Sequence, residues 1–198
     1  MSFLSNPHLY NFVQDILGGH RSRIRLQQYF DTFPPGALIL DLGGGTGAIA
    51  PYLPRDSRYI CLDRDPAKLE GLRGTRWKAG AVLSDAANVP VRSASIDVVL
   101  SIAVSHHLSD MELHGMLQEI RRVLKSDGQL LFLDPLAGPR VATRLMWSID
   151  RGSHPRSPEA LCAALGRHMS IVREVRHTEL HEYLTVIAIK NSQLLNGA

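Results

Sequence analysis

The chain has 198 residues, of which 44% are hydrophobic and 21% are charged, which is ordinary for a water-soluble folded protein. No apolar run approaches the roughly 20 residues of a membrane-spanning helix, and the N-terminus lacks the basic and apolar regions of a signal peptide. The net charge is +3 and comes almost entirely from Arg, which indicates some affinity for anions but not a dedicated nucleic-acid binder.

The first half of the chain alternates short apolar runs with amphipathic stretches, a pattern typical of an α/β protein with a parallel sheet. In chain order it predicts a helix at 7–30 broken at Gly18-Gly19, a strand at 37–42, a helix at 46–53, a strand at 59–63, a helix at 66–72 and a strand at 77–83. A glycine-rich turn joins the first strand to the helix that follows it.

The second half continues the alternation. In chain order it predicts a strand at 96–102, a helix at 110–124 capped by Ser109 or Asp110, a turn at 126–128, a strand at 129–134, helices at 138–149 and 158–167, and strands at 171–177 and 182–190. The link between the last two strands is short, so they are predicted to pair as a terminal hairpin.

The glycine-rich turn carries the clearest functional signal. Gly43, Gly45 and Gly47 directly follow a buried strand, and Asp63 ends the next strand twenty residues after Gly43. Glycines let the backbone turn sharply and approach a ligand, and the helix N-terminus predicted at 46 would offer N–H groups to an anion. A carboxylate at the end of the second strand can accept both hydroxyls of a ribose. Together these features predict a cofactor that contains a nucleoside.

The turn alone does not select the cofactor. Gly43-x-Gly45-x-x-Ala48 also fits the dinucleotide-binding pattern GxGxxG/A, so a nicotinamide-dependent oxidoreductase remains open at this point.

Four motifs in order and at characteristic spacing carry a family resemblance. They are Asp41-x-Gly43-x-Gly45-x-Gly47, Ser84–Pro90 with Ser95–Val99, His106-His107-Leu108, and Arg122–Gly128. Over residues 36–134 the chain resembles the class I (Rossmann-like) S-adenosylmethionine-dependent methyltransferase family, in its small-molecule branch that is similar to methyltransferase domain 11. The departures are Ser84 in place of the usual Gly, and the lack of a Pro-Gly turn at 126–128.

The resemblance implies a three-layer, doubly wound α/β fold with a seven-stranded, mostly parallel sheet and an antiparallel last strand. It also implies a single domain over 1–198. Residues 1–35 would form an N-terminal helical lid, residues 36–134 the cofactor-binding core, and residues 135–198 a variable acceptor-side segment with the terminal hairpin.

The resemblance further implies S-adenosylmethionine as cofactor and S-adenosylhomocysteine as product. Asp63 would hold the ribose, Asp85 would meet the adenine amino group, and Asp41 would receive the ammonium of the methionyl tail while the glycine backbone receives its carboxylate. The residues expected to bind the cofactor are Asp41, Gly43, Gly44, Gly45, Gly47, Asp63, Arg64, Asp85, Ala86 and Ser101.

The candidate catalysts are His106 and His107, which follow the fourth strand and are not distinguishable by sequence. Either can serve as a general base, which helps only when the acceptor must lose a proton. The alternative is that one of them caps the next helix or packs structurally. The nine histidines are otherwise scattered, so no metal site is expected.

The polar segment at 149–157 is a candidate wall of the acceptor pocket. Arg151, His154 and Arg156 are expected to bind an anionic group there, while the alternative is a solvated loop with salt bridges to Asp150 and Glu159. The short lid and the lack of an added RNA-binding domain favour a small-molecule acceptor methylated at O, C or N. An RNA methyltransferase and a non-catalytic binding module remain as alternatives.

Expectations about partners and location follow from the same features. A small-molecule acceptor is expected as partner, nucleic acid and membranes are not, and a homodimer is left open. Cys61 and Cys162 suit a reducing compartment and are expected to stay unpaired, which favours a cytoplasmic location.

Overall fold

The computed structural model describes residues 19–72, 79–137, 154–178 and 182–190. Seven strands form one sheet in the spatial order β3-β2-β1-β4-β5-β7-β6. They are β1 (Leu38–Leu42), β2 (Arg58–Asp63), β3 (Ala79–Leu83), β4 (Ile96–Ile102), β5 (Leu124–Pro135), β6 (Met169–Thr178) and β7 (Glu182–Lys190).

Four α-helices flank the sheet in the described parts of the chain: α1 (Gly19–Leu26), α2 (Pro66–Glu70), α3 (Asp110–Val123) and α4 (Pro158–Gly166). Short 3₁₀ helices cover Gln27–Thr32, Ala50–Tyr52 and Ser105–His107. None of the helices described here is long and apolar enough to cross a membrane. The predicted helix at 138–149 lies outside the described residues.

The strand pairing confirms the predicted fold class. β3, β2, β1, β4 and β5 are parallel, and β7 pairs antiparallel with both β5 and β6, so the last two strands form the predicted hairpin. The strand order reverses between β1 and β4. In open α/β sheets ligands bind at the carboxyl ends of the strands beside such a reversal.

Two apolar layers hold the sheet. The face that we call the α3 face is covered by α3 and α4, with Met116 and Leu161 packed among strand residues such as Phe132. The opposite face, the α1 face, is covered by the chain around α1, with Leu26 and Tyr29 buried. Strands buried on both faces explain the near-continuous apolar run of β4.

Helix α3 begins where the sequence predicted. Ser109 caps it: the Ser109 side chain accepts the Glu112 N–H, and the Glu112 carboxylate accepts the Ser109 N–H at 2.7 Å. This capping box fixes the chain direction just after the segment that carries the two histidines.

The predicted helix at 46–53 is wrong. Residues 45–49 form successive turns, and only Ala50–Tyr52 is helical, as a 3₁₀ segment. The N–H of Gly47 bonds to the carbonyl of Gly44, and that of Ala50 to the carbonyl of Gly47. Gly47 has a φ of +69°, which a right-handed helix excludes, so the turns cannot merge into an α-helix.

Two further boundaries differ from the prediction. The turn expected at 126–128 lies inside β5, where the register moves from Ile96–Leu124 to Val98–Gln129, so the extra residues form a bulge. The helix expected at 7–30 becomes a 3₁₀ helix from Gln27, and its first part lies outside the described residues.

Candidate active site

The glycine turn lies at the carboxyl end of β1. Gly43, Gly45 and Gly47 have φ values of +69°, +57° and +69°, in the left-handed region that glycine adopts without strain. The N–H groups of Gly43 and Gly44 both donate to the carbonyl of Leu62 in β2, at 2.7 and 3.2 Å. The turn is therefore fixed against the neighbouring strand and exposes backbone where a ligand would lie.

Gly44 allows this turn to rest on a buried polar cluster. A Cβ on Gly44 would overlap the carboxylate of Asp41 and Sγ of Cys61, so only glycine fits. The Tyr59 hydroxyl donates to Oδ2 of Asp41 at 2.6 Å, and both residues are buried.

Burial sets the proton affinities in this cluster. It raises the pKa of Asp41 to about 7; the hydrogen bond from Tyr59 opposes this rise, and the nearby charge of Asp63 adds to it. Burial also raises the pKa of the Cys61 thiol, with the charge of Asp41 contributing, so Cys61 is not a reactive thiolate.

Asp63 is the last residue of β2, and its carboxylate is held by backbone. Oδ2 accepts the N–H of Gly45 at 3.0 Å, and Oδ1 accepts the N–H of Asp65 at 2.9 Å. The Ser84 N–H donates to the carbonyl of Asp63 at 3.1 Å, which brings the end of β3 to the same point. Each carboxylate oxygen has a second lone pair, so the group can still accept two hydroxyls.

The other predicted cofactor residues surround this edge. Asp85 is exposed and accepts the Ala87 N–H at 2.7 Å, Ala86 is half-buried, and Arg64 is exposed. Ser101 lies in β4, and its buried hydroxyl has no hydrogen-bond partner within the part of the chain that the structure describes.

These residues fit S-adenosylmethionine. The fixed Asp63 carboxylate suits a ribose, the backbone at positions that only glycine can fill suits the methionyl tail, and the orphaned Ser101 hydroxyl leaves a buried polar group for a ligand or a water.

The histidine-bearing loop, residues 103–108, follows β4 and packs on the glycine turn. Val104 side-chain atoms lie so close to Gly43 that a Cβ there would overlap them. Ala103 has a φ of +56°, which is rare for a residue other than glycine, and its N–H bonds to the Leu133 carbonyl at 2.7 Å. Such strained residues cluster at functional sites, and nothing in the sequence signals this one.

The structure distinguishes the two histidines. Nδ1 of His106 lies 2.6 Å from Oδ1 of Asp134, and their side chains are 3% and 1% exposed. Oδ2 of Asp134 accepts the Ser105 N–H at 2.7 Å. The His107 ring is half-buried and lies 4.0 Å from the His106 ring between centroids. Asp134 therefore orients His106, in the way a carboxylate orients a catalytic imidazole.

Arg156 holds the same loop from outside. Its guanidinium donates to the carbonyls of Ser105 and Leu108, each at 2.7 Å, and pairs with Asp110 at 2.7 Å. The His154 N–H also donates to the His106 carbonyl at 2.9 Å. This role of Arg156 was not predicted.

The proposed anion-binding wall is only partly described. Arg151 lies outside the described residues, and acceptor binding by His154 and Arg156 stays a prediction. The alternative salt bridges take other partners: Arg156 pairs with Asp110, and Glu159 pairs with Arg176 at 3.6 Å. Within the described ranges no group of three His, Cys, Asp or Glu residues could hold a metal ion.

The fold is Rossmann-like, and the residues at the carboxyl ends of β1 and β2 have the chemistry to hold a nucleoside cofactor. The family model for a methyltransferase domain matches residues 40–132 of this sequence. These residues contain the glycine turn, Asp63, Asp85 and the histidine loop.

Similar proteins of known name share this region. A mouse tRNA (carboxymethyluridine(34)-5-O)-methyltransferase, ALKBH8, is 34% identical over 54% of this chain and 16% of its own length. The tRNA (carboxymethyluridine(34)-5-O)-methyltransferase of Saccharomyces cerevisiae is 28% identical over 65% of this chain and 42% of its own length. The mitochondrial arginine-hydroxylase NDUFAF5 of zebrafish is 29% identical over 75% of this chain and 44% of its own length. The chain thus spans less than half the length of each of these relatives.

Solved structures share the fold. A putative methyltransferase in complex with the Trm112 methyltransferase activator, from Haloferax volcanii, has a TM-score of 0.75 at 16% identity and covers 93% of this chain and 96% of its own. A TehB-like SAM-dependent methyltransferase from Corynebacterium glutamicum has a TM-score of 0.69 at 19% identity, over 93% and 98%.

Residues 40–132 therefore form a methyltransferase domain, and the resemblance to class I S-adenosylmethionine-dependent methyltransferases that the motifs carry is confirmed over that region. The expectation that nucleic acid is an unlikely partner is contradicted, because several of the named relatives are tRNA methyltransferases. Overall charge misled here, since a net charge of +3 does not show how the arginines are distributed over the surface.

Proposed function

We propose that this protein transfers the methyl group of S-adenosylmethionine to a carboxylate oxygen of a modified uridine in tRNA. The observation that supports the proposal is the packing of Val104 against Gly43 of the glycine turn, since Val104 lies two residues before His106, which Asp134 orients. The names of the tRNA methyltransferase relatives supply the acceptor class.

Each of the cofactor residues would bind a different part of S-adenosylmethionine. Asp63 would accept the ribose hydroxyls, the backbone of Gly43–Gly47 would meet the methionyl carboxylate, and ionised Asp41 would attract the ammonium. When bound, S-adenosylmethionine supplies an electrophilic methyl group on a positive sulfur. The turn positions that end of the site, which matters because alignment supplies much of the rate in a displacement of this kind.

His106 is assigned a positioning role toward the acceptor. A carboxylic acid with an ordinary pKa near 4 is ionised at neutral pH, so its oxygen attacks without losing a proton, and no general base is required. With Nδ1 bound to Asp134, Nε2 is the ring nitrogen that would contact the acceptor. We therefore expect kcat to change little between pH 8 and pH 6, whereas a hydroxyl acceptor that needs histidine as base would lose rate on acidification.

The test is methylation of total tRNA with isotopically labelled S-adenosylmethionine, followed by nucleoside analysis. A methyl ester releases labelled methanol on mild alkaline treatment, whereas methyl groups on nitrogen or carbon stay on the nucleoside. Label in a base-labile uridine derivative supports the proposal. Label that resists base overturns the carboxylate acceptor, and the absence of label from all RNA overturns the RNA acceptor.

Adjacent histidines give a matched pair of variants. His106→Gln should lower kcat about 100-fold, a typical cost of losing a positioned group, while His107→Gln should stay within about threefold of the wild type. Equal losses in both variants would contradict the assignment to His106.

A further inference from the structure

An open groove lies between α1 and the end of β6. Its volume is about 590 Å³, and Arg21, Ile24, Arg25, Gln28 and Thr178 line it. Arg21 and Arg25 are exposed, one helical turn apart on α1. The groove is distinct from the glycine turn, which lies at the carboxyl end of β1 and contacts the end of β2.

The described residues that line the groove carry positive charge. Helix α1 reads GHRSRIRL, with three Arg and no acidic residue. The five lining residues include two guanidinium groups, one amide and one hydroxyl, and no carboxylate among the residues that the structure describes there. These groups are hydrogen-bond donors, and the guanidinium fork matches the geometry of a phosphate.

Positive charge continues along β6 on the α1 face. Arg173 is exposed, and its guanidinium lies 5.1 Å from the centre of the Tyr29 ring. Arg173 pairs in register with Ile187, which faces the same layer as Tyr29. One further arginine therefore lies on this face of β6, five residues before Thr178.

The strand register places the groove at the catalytic edge of the sheet. Pro135, next to Asp134 at the end of β5, pairs with Tyr183, and Tyr183 pairs with His177. Thr178, the last residue of β6, therefore lies at the same edge of the sheet as Asp134, which binds His106. Two strand spacings separate β5 from β6, about 10 Å. An acceptor nucleotide at His106 would have its neighbouring phosphates within reach of the groove.

We propose that this groove binds the phosphodiester backbone of the RNA on one side of the methylated nucleotide. The inference rests on the proposed function and adds to it the surface that holds the RNA. Phosphate contacts of this kind position a nucleic acid without reading its sequence. Because α1 presents a single exposed large apolar residue, Ile24 at 48% exposure, the groove suits a solvated polyanion better than a lipid surface.

The test compares charge removal in the groove with equal charge removal elsewhere. The variant is Arg21→Gln with Arg25→Gln. The control is Arg55→Gln with Arg167→Gln, which removes two exposed charges from the loop before β2 and from the end of α4. Affinity for unmodified tRNA is measured by fluorescence anisotropy over a series of salt concentrations.

The groove variant should bind tRNA about 10-fold to 100-fold more weakly at low salt. The slope of log K against log salt should fall by roughly 1.5, since each phosphate that is no longer neutralised by an arginine lowers it by about 0.7 to 0.9. The control variant should keep the wild-type slope. Arg21→Lys with Arg25→Lys should retain most of the binding, because the charge remains. In turnover, KM for tRNA should rise in the groove variant while kcat at saturation and the Kd for S-adenosylmethionine stay unchanged.

The outcomes separate the two proposals. If wild-type protein methylates tRNA and the groove variant keeps the wild-type Kd and salt slope, the groove assignment is overturned and the proposed function stands. If both double variants weaken binding equally, net charge rather than the groove is responsible, and the assignment is again overturned. If wild-type protein neither binds nor methylates tRNA, the proposed function fails as well. Equal binding to vesicles of anionic lipid, abolished in the same variant, would assign the groove to membranes instead.

Discussion

Two buried carboxylates, Asp63 and Asp134, lie on opposite sides of the point between β1 and β4 where the strand order reverses. Different kinds of group hold the two carboxylates. On the β1–β2 side, Asp63 is held by backbone N–H groups of Gly45 and Asp65. On the β4–β5 side, Asp134 binds the His106 ring, and Arg156 clamps the loop from outside.

The difference shows how each half can vary. A network made from backbone depends on a few glycines and one acid close in sequence, so it suits a ligand that is the same in every family member. A network made from side chains that come from distant segments can change residue by residue, as an acceptor site must. The predictions below separate the two networks, from the largest expected effect to the smallest.

The first prediction concerns Asp41, which belongs to the backbone-built side. Its pKa is 3.8 when unperturbed and about 7 in the folded protein, so between these values the folded state retains a proton that the unfolded state releases. Below about pH 4, Asp41 is protonated in both states and costs the folded state nothing. As the pH rises from 4 toward 7, the folded state loses stability, because Asp41 ionises readily only when the chain is unfolded. Asp41→Asn should remove this loss, on the order of 4 kcal/mol, since the pKa rises by about 3 units and one unit is worth about 1.4 kcal/mol.

Urea unfolding of the wild type and Asp41→Asn between pH 4 and pH 8 measures the effect. The two free energies of unfolding should converge toward low pH and separate toward high pH, with the variant gaining relative to the wild type. A constant difference across the range would show that Asp41 titrates normally in the fold.

The second prediction tests the carboxylate at the end of β2. Asp63→Ala should weaken S-adenosylmethionine binding about 100-fold, near 2.7 kcal/mol, because the ribose loses its acceptor and Gly45 loses the oxygen that fixes it. Calorimetry measures the Kd. Asp56→Ala is the control, since Asp56 also accepts a glycine N–H, from Gly36 at 2.7 Å, but at the opposite edge of the sheet. Equal affinity in both variants would remove Asp63 from the cofactor site.

The third prediction tests the packing of the glycine turn. Gly44→Ala should destabilise the protein by about 2 kcal/mol and weaken cofactor binding, since a Cβ there meets Asp41 and Cys61 and the turn must shift. Gly166→Ala is the control, because no atom lies within 4 Å of a Cβ at that position. Thermal melting compares the two. A Gly44→Ala variant as stable as Gly166→Ala would mean that the turn does not rest on the buried cluster.

The fourth prediction tests the side-chain network. Arg156→Lys should lower kcat about tenfold while leaving the Kd for S-adenosylmethionine unchanged, because one ammonium cannot hold two carbonyls and Asp110 together. Arg122→Lys is a close control, as Arg122 also joins two carbonyls, of Val89 and Val91, to a carboxylate, but outside the histidine loop. A matching loss of kcat in both variants would show general destabilisation rather than positioning.

Local sequence signals accounted for most of the elements and for the glycine turn. β4 is a near-continuous apolar run, α3 carries its capping box within four residues, and the positive φ values of Gly43, Gly45 and Gly47 match the motif. The helix predicted after the turn failed because apolar spacing does not report the left-handed backbone at Gly47. The expectation against a nucleic-acid partner failed because composition does not place charges on a surface.

By itself the sequence determined the parallel α/β order, the final hairpin, the glycine turn and the position of Asp63 at the end of a strand, because each depends on residues that are neighbours in the chain or joined through one strand. Only the tertiary structure decided that Asp134 binds His106. His106, Asp134 and Arg156 are separated by 28 and 22 positions and meet only where β4, β5 and the chain before α4 converge. The groove beside α1 arises in the same way, since Arg21 and Thr178 come from opposite ends of the described chain and meet only when the sheet forms.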